Sequence, residues 1–151
     1  MVSFTELNQQ NDTITELSNV LGLLIDERSI WDTRVIGNLF FAYVDKVKEH
    51  LDLEERELYQ SMLLHSDQTI RQTANKFLSG SGEIKRVFGQ YLKRWSRSRG
   101  LRINNHDQFA KDTREMFQLV LNRIEDEVEH LYPTVRAVQA ALREAAEKAT
   151  K

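Results

Sequence analysis

The sequence predicts an all-α protein, an up-down-up-down four-helix bundle in residues 1–135 with a C-terminal helical extension in residues 136–151. Three observations support this fold class. The 151 residues include only one Pro and six Gly, the two residues that helices tolerate least. Charged residues make up 29% of the chain, which suits the solvated faces of helices. Four long segments repeat apolar residues at the helical period, and the short connections between them favour antiparallel neighbours.

The first predicted helix covers residues 3–25. It begins with a capping box, because Ser3 is followed three residues later by Glu6. A polar residue, Asn11, falls on the apolar stripe of this helix, either as a satisfied boundary residue or as the remnant of a ligand position. Residues 26–29 predict a turn.

The second predicted helix covers residues 32–64, and its apolar seam carries two polar residues, His50 and Glu54. Ionisable side chains are uncommon on a core-facing stripe. We therefore leave two interpretations open for His50, a hydrogen-bonded core histidine and a metal ligand.

The third predicted helix begins at Ser66 or Asp67 and extends past Trp95. Within it, residues 79–82 read Ser-Gly-Ser-Gly, which predicts either a kink or a close contact with another helix. The fourth helix begins at Asn104 or Asn105. Pro133 is expected to bend or stop it, and the Ala-rich remainder predicts a last helix.

A basic segment joins the third and fourth helices. Residues 84–106 contain no acidic residue, and we consider the segment a candidate contact surface for a protein partner, although cations at the end of a helix also complement its dipole. Its basic residues are Lys85, Arg86, Lys93, Arg94, Arg97, Arg99 and Arg102.

Composition excludes several functional classes. Without Cys, the chain has no thiolate metal site, iron–sulfur cluster or Cys nucleophile. A net charge of -2 does not suggest nucleic acid as a partner, and no apolar run is long enough to span a membrane. The N-terminal residues lack the features of a signal peptide. We expect a cytoplasmic protein that is not an enzyme, since no nucleophile motif or phosphate-binding Gly loop is present; the oligomeric state is left open.

A repeated frame carries the candidate chemistry. His50 precedes Glu54 by four residues, and Leu58-Tyr59 follows; Arg123 precedes Glu127 by four residues, and Leu131-Tyr132 follows at the same offset. Residues four apart share one face of a helix. Two such frames on facing helices would bring four polar side chains together in the core of the bundle.

These two frames, in a four-helix chain of this size, resemble the hemerythrin-like family, or HHE cation-binding domain, over residues 5–135. The resemblance implies His ligands from all four helices and two carboxylates, which hold two oxo-bridged irons that bind O2 or sense iron and oxygen. Carried over by position, it gives His50, Glu54 and Glu127 as candidate metal ligands. The chain departs from the family pattern at Asn11 and Arg123, which stand where His is expected, and its third helix has no His.

The departures favour a degenerate metal site. Arg cannot ligate a cation and stays protonated, so the Arg123 guanidinium is expected to satisfy the carboxylates in place of iron. The predicted function is a regulatory or interaction module rather than an O2 carrier, with no cofactor. The alternative is a weakly held non-heme iron or other divalent cation on the three candidate ligands, used to sense oxygen or iron. An acid–base enzyme using His50 and Glu54 is the least favoured reading.

A weaker similarity links two short stretches to anti-sigma regulators of the Rsd/AlgQ type, which are also helical bundles. It illustrates how such a bundle acts by binding a protein. The stretches contain Val44-Asp45, His50 and Glu55, and then Leu121, Arg123-Ile124 and Glu125-Asp126.

Overall fold

The computed structural model describes residues 3–150, which form a helical bundle with one short hairpin. The elements in chain order are α1 (Phe4–Leu23), α2 (Arg28–Trp31), α3 (Arg34–Glu57), α4 (Tyr59–Leu63), α5 (Gln68–Trp95), β1 (Ser96–Arg97), β2 (Gly100–Leu101), α6 (His106–Asp126), a π-helical turn (Glu127–Leu131) and α7 (Tyr132–Ala149).

Four long helices form the bundle, and each packs against two others. α1 contacts α3 and α6, while α5 contacts α3 and α6, so the four helices close a ring around the core. The predicted all-α four-helix bundle is confirmed. In the part of the chain that the structure describes, no helix combines the length and the apolar character needed to cross a membrane.

The apolar core is divided into two clusters along the bundle. The larger cluster contains Leu51, and the smaller contains Leu53. His50 and Glu54 flank this junction on α3, so the polar side chains lie between two apolar clusters rather than at an end of the bundle.

The helix starts follow the sequence signals. Ser3 caps α1 and accepts a hydrogen bond from the Glu6 amide, as the capping box predicted. Asp67 caps α5 and Asn105 caps α6 through their side chains. Each cap satisfies one amide that has no partner within the helix.

The turn predicted at residues 26–29 is partly wrong, because α2 begins at Arg28. Trp31 explains this helical turn: it is 3% exposed, and its indole N–H donates to the Leu24 carbonyl at 2.7 Å. The second long helix begins at Arg34, after its cap Thr33, two residues later than predicted. It is divided at Leu58 into α3 and α4.

The Ser-Gly-Ser-Gly stretch does not interrupt α5, which continues through residues 79–82. Of the two readings offered for it, the close contact is the one observed. A Cβ at Gly80 would lie 2.8 Å from Nη1 of Arg123, and Ser81 is fully buried and donates to Glu55. Small residues here let the α6 side chain approach the α5 backbone.

Two features of the chain after α5 were not predicted. Residues 96–101 form an antiparallel hairpin whose turn residues, Ser98 and Arg99, have φ of 51° and 61°. Pro133, which was expected to bend or stop the fourth helix, lies in the first turn of α7, where Pro needs no amide partner. α6, the π-helical turn and α7 therefore follow one another without a loop.

Candidate metal centre

Two helices bring a base and a carboxylate each into the junction between the apolar clusters. His50 and Glu54 are one turn apart on α3, while Arg123 on α6 is one turn before Glu127. Their exposed fractions are 2% for His50, 8% for Arg123 and 0% for both glutamates. The frames that share a spacing in the sequence therefore face each other in the core.

The His50 ring faces one oxygen of each carboxylate. Its Nε2 lies 2.9 Å from Glu127 Oε1 and 3.3 Å from Glu54 Oε2. Its Nδ1 lies 2.7 Å from the Gln10 side-chain oxygen; because an amide oxygen only accepts, Nδ1 carries the proton. This contact directs Nε2 at the two carboxylates.

The Arg123 guanidinium occupies the opposite side of the carboxylates. Its Nε donates to Glu127 Oε2 at 3.1 Å, Nη1 to the Phe77 carbonyl at 2.8 Å, and Nη2 to the Tyr59 hydroxyl at 2.7 Å. Nη2 also lies 3.7 Å from Glu54 Oε1. Each glutamate thus presents one oxygen to His50 and the other to Arg123.

The π-helical turn places Tyr132 at the centre. In a turn closed by an i→i+5 hydrogen bond, here from the Tyr132 amide to the Glu127 carbonyl, residues five apart lie one above the other. The Tyr132 hydroxyl lies 3.2 Å from Glu54 Oε2 and 3.4 Å from Glu127 Oε1, and it accepts from Asn11 Nδ2 at 3.0 Å. Asn11 therefore orients the tyrosine.

Burial and close partners shift the pKa values in this cluster. Burial disfavours the charge on His50, but hydrogen bonds to Glu127 and Glu54 outweigh it and raise the His50 pKa to about 9. Burial also raises the pKa of Glu54 above its ordinary range. Burial acts against charge on Glu127 too, yet hydrogen bonds with Glu54 and His50 lower its pKa. Near neutral pH, the cluster therefore favours charged His50, Arg123 and Glu127 with a protonated Glu54.

The donor atoms also fit one divalent cation on the His50 side. One ligand atom from each of His50, Glu54 and Glu127 lies within 4.8 Å of the others, and an imidazole with two carboxylates suits iron, manganese or zinc. The Gln10 contact to Nδ1 resembles the outer hydrogen bonds that orient metal-bound histidines. A second ion does not fit, because Arg123 occupies the space beyond the carboxylates.

The structure brings together all five predicted centre residues, namely His50, Glu54, Glu127, Asn11 and Arg123. Gln10, Tyr59 and Tyr132 also belong to the centre, and they were not predicted as site residues. The two tyrosines had a signal, since each ends one copy of the repeated frame. Gln10 had none, because a surface glutamine and one that supports a histidine look alike in a sequence.

The basic segment is largely paired within the chain. Lys85 bonds to Asp52 and Glu55, Arg86 to Glu83, Arg94 to Asp112, and Arg99 to both carboxylate oxygens of Asp45. Lys93, Arg97 and Arg102 have no ion-pair partner within residues 3–150. The free positive charge is therefore smaller than the sequence indicated.

The protein-family model of the hemerythrin HHE cation-binding domain matches residues 2–135. Comparisons with curated proteins and with solved structures give no significant match. The matched region includes both repeated frames and every residue of the buried centre. The chain therefore belongs to the hemerythrin family, with an HHE cation-binding domain in residues 2–135.

Proposed function

We propose that this chain is a hemerythrin-like regulatory or interaction module with a degenerate metal site, rather than an O2 carrier or an enzyme. The single observation that carries the proposal is the position of Arg123. Its guanidinium donates from all three nitrogens to groups in the core and stacks 4.8 Å from the Phe77 ring.

A guanidinium in this position performs the structural task of an ion. A buried carboxylate without a positive partner is costly, and Arg123 is a permanent cation whose planar donors suit carboxylates. Charged His50 faces the remaining oxygens. The bundle can thus keep its polar core without a metal. A bundle without iron does not carry O2.

The test is metal content together with the visible spectrum, on untagged protein from cells grown with added iron. The proposal expects less than a tenth of an equivalent of metal and no absorption band from an oxo-bridged iron pair. Near two irons per chain, with that band, would overturn it. As a gain-of-function control, Arg123→His replaces the permanent cation with a ligand, and we expect this variant to bind a divalent cation more tightly than the parent.

A second candidate function is the binding of one divalent cation, for sensing oxygen or iron. Two observations favour it: the three donor atoms lie within 4.8 Å of one another, and the Asn11 side-chain oxygen is buried without a hydrogen-bond partner. In this state, neutral His50 would offer its Nε2 lone pair, because Gln10 holds the proton on Nδ1. The cation would supply a redox or charge signal.

Titration with Fe²⁺, Mn²⁺ and Zn²⁺ distinguishes the two candidates. One equivalent bound by the parent, and lost in Glu127→Gln, would establish the one-ion centre and exclude a metal-free role. The matched control is Glu129→Gln, which changes an exposed glutamate in the same π-helical turn and should leave binding unchanged. No binding by the parent would leave the metal-free module.

For the protein partner expected at the basic segment, the supporting feature is reduced to Lys93, Arg97 and Arg102. These three side chains carry charge that no carboxylate of residues 3–150 neutralises. We propose an acidic protein surface as the counterpart. Replacing all three by Gln should weaken binding to an acidic protein. Replacing Lys85 by Gln should weaken that binding less, because Asp52 and Glu55 already neutralise its charge.

A further inference from the structure

The Tyr132 hydroxyl faces the same two carboxylate oxygens as the His50 ring. Glu127 Oε1 lies 2.9 Å from His50 Nε2 and 3.4 Å from Tyr132 Oη. Glu54 Oε2 lies 3.3 Å from Nε2 and 3.2 Å from Oη. The four atoms therefore form a closed ring of contacts, in which each carboxylate oxygen touches both the imidazole and the phenol.

The lengths of these contacts match the spacing of ligands around one four-coordinate ion. A zinc ion that binds nitrogen and oxygen ligands at about 2.0–2.1 Å in a tetrahedron keeps them about 3.3–3.4 Å apart. A square-planar set with the same bond lengths would keep neighbouring ligands about 2.9 Å apart. Three of the four contacts, at 3.2, 3.3 and 3.4 Å, lie close to the tetrahedral spacing, so the ring favours a tetrahedral ion.

We propose that Tyr132 is the fourth ligand of a closed, tetrahedral centre for one divalent cation of the zinc type. Its Oη binds the ion together with His50 Nε2, Glu54 Oε2 and Glu127 Oε1. The inference rests on the second candidate function, the one-ion centre, and adds to it a ligand from α7. The hydroxyl proton that the ion displaces passes to solvent, because metal ions take deprotonated ligands.

Two side chains of α1 orient the donors of this set. Gln10 accepts from His50 Nδ1 at 2.7 Å, which turns the Nε2 lone pair toward the ring of contacts. Asn11 Nδ2 donates to Tyr132 Oη at 3.0 Å, and a donor at this oxygen favours the negative charge that a bound phenol carries. Asn11 thus supports a ligand instead of acting as one. Outer hydrogen bonds of this kind fix the ligands of metal centres.

A closed set of ligands limits what the ion can do. Catalytic zinc centres keep one position open for water or substrate, whereas structural centres use four protein ligands. Tyr132 is 1% exposed, and the Arg123 guanidinium fills the other side of the carboxylates. The centre would therefore have no position for O2 even when it holds an ion. Because Tyr132 is the first residue of α7, the ion would join α3, the π-helical turn and α7.

Titration with Zn²⁺, followed by ultraviolet difference spectroscopy, tests the fourth ligand. We expect the parent to bind one equivalent and to show the absorption of one ionised tyrosine as it does so. In Y132F this absorption should be absent, although the other three tyrosines remain. Competition with a coloured chelator should show a Kd raised by at least about tenfold in Y132F, since losing even an outer partner of a ligand costs that much.

The matched control is Y43F, which removes another buried tyrosine hydroxyl from a helix of the bundle. Tyr43 lies on α3 outside the centre, and its hydroxyl has no hydrogen-bond partner. This variant should keep both the tyrosine absorption and the Kd of the parent. Circular dichroism confirms that each variant is folded, and the absorption of the parent decides the matter without Y132F.

A parent that binds one Zn²⁺ without ionising a tyrosine would overturn the inference and leave a centre with three protein ligands. A folded Y132F that binds Zn²⁺ as tightly as the parent would overturn it as well. If the parent binds no Zn²⁺, the four-ligand centre and the one-ion function both fail, and the metal-free module remains. The failure of the fourth ligand is thus distinct from the failure of the function on which it rests.

Discussion

Replacing Gly80 by Ala tests whether Arg123 is seated in the core as described. An added Cβ at this position would lie 2.8 Å from Nη1 of Arg123, closer than such atoms approach. The guanidinium is the end of a flexible side chain, but three hydrogen bonds and the Phe77 ring hold it in place. We therefore expect G80A to displace the guanidinium rather than to be absorbed by a small shift.

Two effects of opposite sign decide the magnitude. Replacing Gly by Ala inside a helix stabilises it by about 1 kcal/mol. Disturbing a buried hydrogen bond from a charged donor costs about 1.5–3 kcal/mol. At least one such bond, from Nη1 to the Phe77 carbonyl, is lost, so we expect a net destabilisation of roughly 0.5–2 kcal/mol.

Urea unfolding at equilibrium measures this free energy. Two other glycines of α5, Gly82 and Gly89, are matched controls, because a Cβ at either would meet nothing within 4 Å. G82A and G89A should each stabilise the protein by about 1 kcal/mol. In an R123M background, G80A should stabilise as well, because the clash is gone. If G80A stabilises the parent as much as G82A does, the proposed seat of Arg123 is wrong.

Three further changes probe the centre and the hairpin. In metal-free protein, the pKa of His50 is raised to about 9, so charged His50 stabilises the fold fully below pH 6.5. This stability, roughly 3 kcal/mol at most, is lost as the pH rises to 9. The free energy of unfolding of H50Q, measured in urea, should therefore depend less on pH across this range than that of the parent. Y132F should cost about 1–3 kcal/mol, because Asn11 and the carboxylates lose a partner, whereas Y43F, which removes a buried hydroxyl without a partner, should be neutral or stabilising. Thermal unfolding of S98G should show about 1 kcal/mol of stabilisation, since φ at this position is positive; a lower Tm would contradict the strain.

The bundle was predictable because its signals are local and repeated. Caps such as Ser3 and Asn105 mark helix starts, and apolar residues at helical spacing define each buried face. The centre was predictable in part for the same reason, since His50 and Glu54 lie on the core-facing seam of one helix. Identical spacing around Arg123 and Glu127 then indicated a second helix facing the first.

Other features depend on contacts that a sequence does not display. Gly80 is needed because a guanidinium from a distant helix passes beside it, and α2 exists because Trp31 finds the Leu24 carbonyl. The hairpin lacks the usual Asn-Gly signal; its Arg99 is held by Asp45, which is 54 residues away along the chain. Pro133 stands at the start of α7 without a loop before it, because Pro is tolerated in the first turn of a helix; the sequence does not distinguish this position from a helix end.

The π-helical turn at Glu127–Leu131 acts as a one-residue insertion in an otherwise regular helix. Residues after the turn are shifted by one in their sequence spacing relative to α6. Because the π-helical turn accommodates the extra residue, the core-facing side of α6 continues into α7. Deleting a single exposed residue here, such as Val128, would restore an ordinary α-helical turn and leave all that follows in place. Forcing the turn into α-helical geometry with every residue kept would instead rotate all that follows by about 100°. Tyr132 would leave the carboxylates, and Val135 and Val138 would turn away from α4. The π-helical turn therefore determines which face of the whole C-terminal helix packs against the core.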